Sequence, residues 1–230
     1  MTNKHGVRAR IEEIGIIPAV RTSSADEARF AAETVSQAGI SLVEVTMTVP
    51  GALKVIADLV RKMPALFVGA GTVLDIDVAR QCVDAGAKFV TSPGFDLRVV
   101  EFAIKEDVLV LPGALTPTEV MAAWQAGADL VKVFPCAQLG GASYIRALRA
   151  PFPQVPLVAA GGVNQQTAAD FIEAGAVAIG VGAELIPRRA LEQREPAWIL
   201  ELAHRFLSII KEARGRVAHR RPDPDRLPQG

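Results

Sequence analysis

Short apolar runs of strand length alternate along the chain with stretches whose apolar residues recur at helical spacing. The runs at 16–20, 42–47, 66–69, 89–91, 108–111, 129–134, 157–160 and 177–181 predict eight strands. The stretches between them, at 25–38, 52–62, 75–85, 96–105, 117–126, 143–149 and 165–174, predict helices. Local chemistry marks several of their ends. Ser23 or Ser24 can cap the first helix, and Thr116-Pro117-Thr118-Glu119 offers a cap, an N1 proline and an acidic first turn. Four helices close on one signature: Gln-Ala-Gly39, Asp-Ala-Gly86, Gln-Ala-Gly127 and Glu-Ala-Gly175. Glycine just past a helix end takes the left-handed conformation without steric cost.

A repeated unit of strand, loop and helix argues for a parallel sheet with right-handed crossovers. Eight units in 230 residues fit an α/β fold of the TIM-barrel type, (β/α)₈. A doubly wound open sheet is the alternative, but its glycine-rich turn belongs after the first strand, where Arg21-Thr22-Ser23-Ser24 stands instead. Residues 1–15 predict an amphipathic lead-in helix, and 198–214 a long terminal one. The stretch 215–230 is charged, proline-rich and poor in apolar residues. It is expected to be a disordered tail, leaving 1–214 as a single barrel domain.

Composition narrows the function classes. Half of the residues are hydrophobic, enough for a sizeable core. Lys plus Arg and Asp plus Glu balance at 25 each, so bulk charge points neither to nucleic acid nor to an anionic membrane. The apolar runs are too short to span a bilayer, and no secretory pattern opens the chain, so the expected location is cytoplasmic. Cys82 and Cys136 lack metal-ligand spacing and are expected to be free buried thiols. His5, His204 and His219 fall in terminal segments, so no metal site is expected.

The sixth strand carries the most unusual residue. In Asp129-Leu130-Val131-Lys132-Val133-Phe134, stopped by Pro135, a single lysine interrupts an apolar run. Alternation puts Leu130, Lys132 and Phe134 on one face. A central strand covered on both sides would largely desolvate this amine, which disfavours its charged form and suits it to attack a carbonyl. The plainer alternative is a lysine that snorkels to solvent. In a barrel, functional groups collect where the strands stop. Strand two ends Glu44-Val45-Thr46-Met47-Thr48, with Glu44, Thr46 and Thr48 on one face by parity. Strands two and six oppose one another in an eight-stranded barrel, so Glu44 and Lys132 would meet at its mouth. They would form either a structural ion pair or a nucleophile with its proton shuttle. Gly161, Gly162 and Gly182, after strands seven and eight and leading into helix N-termini, stand where such barrels hold a phosphate through backbone N–H groups.

Ordered along the chain, Glu44-Val-Thr46, Gly69-Ala-Gly-Thr72, Ser92-Pro93-Gly94, Leu111-Pro-Gly113 before Thr116-Pro-Thr-Glu119, Lys132-Val-Phe-Pro135 and Gly161-Gly162-Val resemble the class I KDPG and KHG aldolases. These enzymes act on 2-keto-3-deoxy-6-phosphogluconate and 4-hydroxy-2-oxoglutarate. The resemblance runs from about Ile11 to about Arg214. It implies a barrel assembled as a homotrimer that releases pyruvate and glyceraldehyde 3-phosphate without a metal or other cofactor. It further implies that Lys132 forms a Schiff base, Glu44 moves the protons, Thr72, Pro93 and Phe134 line the pyruvate end, and Gly161 and Gly162 hold phosphate. Three positions depart from the pattern of the best-known members. Thr48 replaces an arginine that binds the substrate carboxylate, and Ala160 and Ala183 replace hydroxyl residues near the phosphate. Arg21, at the end of strand one, is the candidate to supply the missing positive charge. The alternatives are 4-hydroxy-2-oxoglutarate or the galactonate epimer as substrate, or a non-catalytic barrel that binds a phosphorylated metabolite or serves as a scaffold.

Overall fold

The computed structural model describes residues 4–220. Among the described residues, nine parallel strands and the helices between them enclose one large core, with a small second cluster at Val100, Ala103 and Val110. The strands are β1 (Ile16–Val20), β2 (Leu42–Thr46), β3 (Phe67–Gly71), β4 (Phe89–Thr91), β5 (Leu109–Leu111), β6 (Gly113–Ala114), β7 (Val131–Val133), β8 (Leu157–Ala160) and β9 (Ala178–Val181). Their spatial order is β5-β4-β3-β2-β1-β9-β8-β7-β6. The two ends of that series, β5 and β6, are separated only by Pro112, so the sheet closes through one interrupted strand. Eight expected strands and nine observed ones are therefore the same barrel. The interruption has a local cause: proline has no N–H to give a ladder, while its carbonyl accepts from the Lys132 N–H at 3.0 Å.

Ten α-helices accompany the strands among the described residues. They are α1 (Lys4–Ile14), α2 (Ala25–Gln37), α3 (Ala52–Lys62), α4 (Ile76–Asp84), α5 (Leu97–Lys105), α6 (Pro117–Gln125), α7 (Ala142–Arg149), α8 (Ala168–Glu173), α9 (Arg188–Glu192) and α10 (Pro196–Arg220). The caps follow the sequence. Ser24 accepts from the Glu27 N–H, and Thr116 with Glu119 forms a reciprocal capping box behind Pro117. Gly39, Gly86, Gly127 and Gly175 all have φ between +90° and +100°, which turns the chain from helix back into strand.

Helix α1 covers the N-terminal end of the barrel, burying Val7 and Ile11. Arg214 of α10 locks this floor by donating to the carbonyls of Glu12, Glu13 and Val177. Its guanidinium lies 2.5 Å from where a Cβ on Gly15 would stand, and Gly15 has a φ of +76°, a conformation that favours glycine. The opposite end is left open. Cys82 and Cys136 are free and buried, and burial pushes the two thiols up to about 12 and about 11.

Two expectations are corrected. The terminal helix does not stop at Arg214 but continues to Arg220, with Arg216 pairing with Glu173 at 2.6 Å. The disordered tail expected from 215 thus begins as helix, and 221–230 lie outside the described residues. A short helix, α9, was not foreseen at all. Five residues are too few to show a period.

Candidate active site

Lys132 sits in the middle of β7, aligned with Gly113 on one side and Val158 on the other. Val131 and Val133 are buried on the opposite face. The lysine instead projects into a cavity of about 280 Å³ at the C-terminal ends of the strands, with its ammonium 5.4 Å from the centre of the Phe134 ring. It is half-buried rather than largely desolvated as expected. The reason is geometric: the inner face of a barrel strand is covered by opposing strands lower down but opens at the mouth.

Glu44, on β2, lines the same cavity and is 4% exposed. Its Oε2 accepts a hydrogen bond from Thr91 Oγ1 at 2.8 Å. Its side chain lies in the space above Gly71, where a Cβ would come within 1.9 Å of Oε1. Among the described residues no ion pair joins Glu44 to Lys132, so the structural salt bridge weighed above is not formed.

Arg21 follows β1 on the rim of the cavity. Nη1 donates to Thr48 Oγ1 at 3.4 Å and Nη2 to Thr72 Oγ1 at 3.3 Å. Thr72 has a left-handed φ of 60°, unusual for a branched residue, and this turns its hydroxyl toward the arginine. Thr46 donates to the Val20 carbonyl at 3.2 Å. The 2.8 Å contact between Thr46 and Thr48 therefore has Thr48 as donor, leaving the Thr48 oxygen to accept from Arg21. A guanidinium held only by neutral hydroxyls, with no carboxylate partner among the described residues, keeps its charge for a ligand.

The far wall carries few functional side chains. Ala160, Gly161, Gly162, Val163, Gly182 and Ala183 line it, with Glu184 at its end. Gly161 and Gly162 have φ of +85° and +79°, and a Cβ on Gly162 would meet Ala137 Cβ at 2.5 Å. The expectation that these loops lead straight into helix N-termini is corrected. The next helices begin only at Ala168 and Arg188 and are six and five residues long. Asn164 and Thr167 bond to each other in a local turn just ahead of the first of them.

Of the expected site residues, Arg21, Glu44, Phe134, Lys132, Gly161, Gly162 and Gly182 share one cavity. Thr48 and Thr72 stand behind Arg21 and outside the lining, and Thr46 is wholly buried behind them. Pro93 is also outside it: its carbonyl packs over Gly113, where a Cβ would approach within 2.2 Å. Sequence reasoning missed Thr91, although a hydroxyl at the end of strand four was a usable signal. It also missed Glu184, one residue beyond Ala183, an exposed carboxylate with no partner among the described residues.

Similarity to known proteins agrees with this geometry. A 2-dehydro-3-deoxy-phosphogluconate aldolase of Treponema pallidum is 31% identical over 200 residues, covering 87% of this chain and 95% of that protein. The KHG/KDPG aldolase of Escherichia coli is 29% identical over 196 residues, covering 85% and 92%. A KDPG aldolase from Legionella pneumophila, solved with pyruvate captured as a covalent carbinolamine, superposes with a TM-score of 0.79 at 28% identity, covering 86% of this chain and 96% of that one. The family model for KDPG and KHG aldolases matches residues 7–202. With a lysine and a carboxylate facing one barrel-mouth cavity and that match spanning most of the chain, the protein belongs to the KDPG and KHG aldolase family.

Proposed function

We propose that this aldolase works through a Schiff base on Lys132 and releases pyruvate from a 2-keto-3-deoxy acid. The observation that carries the proposal is the convergence of Lys132, Glu44 and Arg21 on one cavity. The amine of Lys132 attacks the C2 carbonyl, and loss of water leaves a protonated imine. Glu44 takes the proton of the C4 hydroxyl while the C3–C4 bond breaks and its electrons pass into the imine as an enamine. The aldehyde departs, Glu44 returns a proton to C3, and water releases pyruvate and the free amine. The imine itself is the electron sink, so the cycle needs no metal or other cofactor. Arg21 pairs with the substrate carboxylate, in place of the arginine absent at Thr48, and Phe134 packs against the pyruvyl group.

The tail of the substrate lies along Gly161, Gly162 and Gly182. In 2-keto-3-deoxy-6-phosphogluconate, the compound named for several relatives, this is the phosphate end. A second reading is favoured by Glu184 together with Ala160 and Ala183. A carboxylate and two missing hydroxyls on this wall suit an unphosphorylated tail better than a dianion. The family assembly implied by the resemblance, a cytoplasmic homotrimer, fits the exposed apolar side chains Leu74, Leu97 and Met121.

Pyruvate release separates these readings. It is to be followed for 2-keto-3-deoxy-6-phosphogluconate, its galacto epimer, unphosphorylated 2-keto-3-deoxygluconate and 4-hydroxy-2-oxoglutarate, each with and without a chelator. Pyruvate release from the phosphorylated gluconate that the chelator leaves unchanged is expected. Faster turnover of an unphosphorylated compound would favour the second reading. No release from any of the four would overturn the aldolase assignment.

A further inference from the structure

We infer that Thr91 is a positioning residue for the proton-transfer step, fixing Glu44 so that one named oxygen, Oε1, does the work. The inference rests on the Schiff-base reading above and adds to it the group that orients the acid/base.

A glutamate has three rotatable bonds, and a carboxylate at the edge of an open cavity can leave its reacting position. A misplacement of ~1 Å can cost on the order of 100-fold in rate. Glu44 is restrained from two sides. Thr91, at the end of β4 and 1% exposed, donates its hydroxyl to Oε2 at 2.8 Å. Gly71, at the end of β3, leaves a slot that the Glu44 side chain fills, with Oε1, Cδ and Cγ at 1.9, 2.3 and 2.5 Å from where a Cβ would be. Strands three and four thus hold a side chain that strand two supplies.

The two carboxylate oxygens differ as a result. Oε2 is engaged. Oε1 has no hydrogen-bond partner among the described residues, yet every buried side-chain nitrogen or oxygen among them has one. Oε1 is therefore not sealed from solvent, and the cavity that Glu44 lines is the space it meets. Thr91 borders the same cavity. Oε2 is occupied by the Thr91 hydrogen bond and Oε1 meets the cavity, so the C4 hydroxyl proton goes to Oε1. Thr91 itself exchanges no proton with substrate.

The test uses Thr91→Val, which keeps the shape and removes the donor, and Thr91→Ser, which keeps the donor. Two quantities are read on the full chain: steady-state cleavage, and exchange of the pyruvate methyl protons with deuterated water, which reports imine formation and proton transfer at C3 without C3–C4 cleavage. Thr91→Val is expected to lower kcat and the exchange rate together by about tenfold, with KM unchanged. Thr91→Ser is expected to recover most of both. Wild-type rates in Thr91→Val, a rise in KM that accounts for the loss, or equal loss in both variants would overturn the assignment. If the wild-type protein neither cleaves substrate nor exchanges pyruvate protons, the aldolase reading falls first. If it does both and Thr91→Val is indistinguishable from it, only the role of Thr91 falls.

Discussion

The two walls of the cavity are built on different principles. The wall from β1 to β4 is made of side chains: Arg21 leans on Thr48 and Thr72, Thr48 leans on Thr46, and Thr91 braces Glu44. The wall after β8 and β9 is made of backbone, with Gly161, Gly162 and Gly182 and the methyl groups of Ala160 and Ala183. Its one charged side chain is Glu184. The first wall fixes groups at set positions, as a reaction common to all substrates of one chemistry requires. The second excludes by shape and offers little of its own, which suits the end of the molecule that varies between substrates. Around a cavity of about 280 Å³, Glu44 and Arg21 stand on the first wall, the glycine loops form the second, and Lys132 reaches in from β7 beside the second.

The comparison breaks most visibly at Gly162. A side chain there meets Ala137 Cβ at 2.5 Å and must adopt a φ of +79°. Gly162→Val is expected to raise KM for a phosphorylated substrate by about 100-fold, while exchange of pyruvate protons, which does not use this wall, changes far less. Equal losses for both ligands would mean damage to the whole barrel and would remove the division between the walls. A smaller effect sharpens the other side. Arg21→Leu should raise KM for every 2-keto acid by about tenfold, pyruvate included, because a carboxylate loses its charged partner. The ratio between phosphorylated and unphosphorylated substrates should stay constant, as read from parallel kcat/KM measurements. A change confined to phosphorylated substrates would move Arg21 to the opposite wall.

Much of this was legible in the sequence because it rests on local rules. The four Ala-Gly helix ends, the capping box at Thr116 and the parity of Lys132 with Phe134 depend on neighbours in the chain, and the structure follows them. The outline of the cavity was legible from alternation along the strands, which turns Glu44 of β2 and Lys132 of β7 toward the barrel interior, where both line the cavity. The rest depends on contacts between distant segments. Thr91 meets Glu44 across 47 positions, and Arg21 meets Thr72 across 51, so spacing alone announces neither pair. Thr46 has the parity of a cavity residue but lies where the strand ends and its hydroxyl turns back to Val20. The reciprocal bonds between Asn164 and Thr167 ahead of the helix after β8 are a side-chain detail that apolar periodicity does not register.

The central claim is that Lys132 is the nucleophile, and one measurement addresses it directly. The protein is incubated with pyruvate, reduced with borohydride, digested and examined by mass spectrometry. A single reduced pyruvyl adduct on Lys132, absent when borohydride or pyruvate is omitted and absent in Lys132→Ala, is the expected result. No adduct, or an adduct on Lys88 or Lys105 with Lys132 unmodified, would contradict the account.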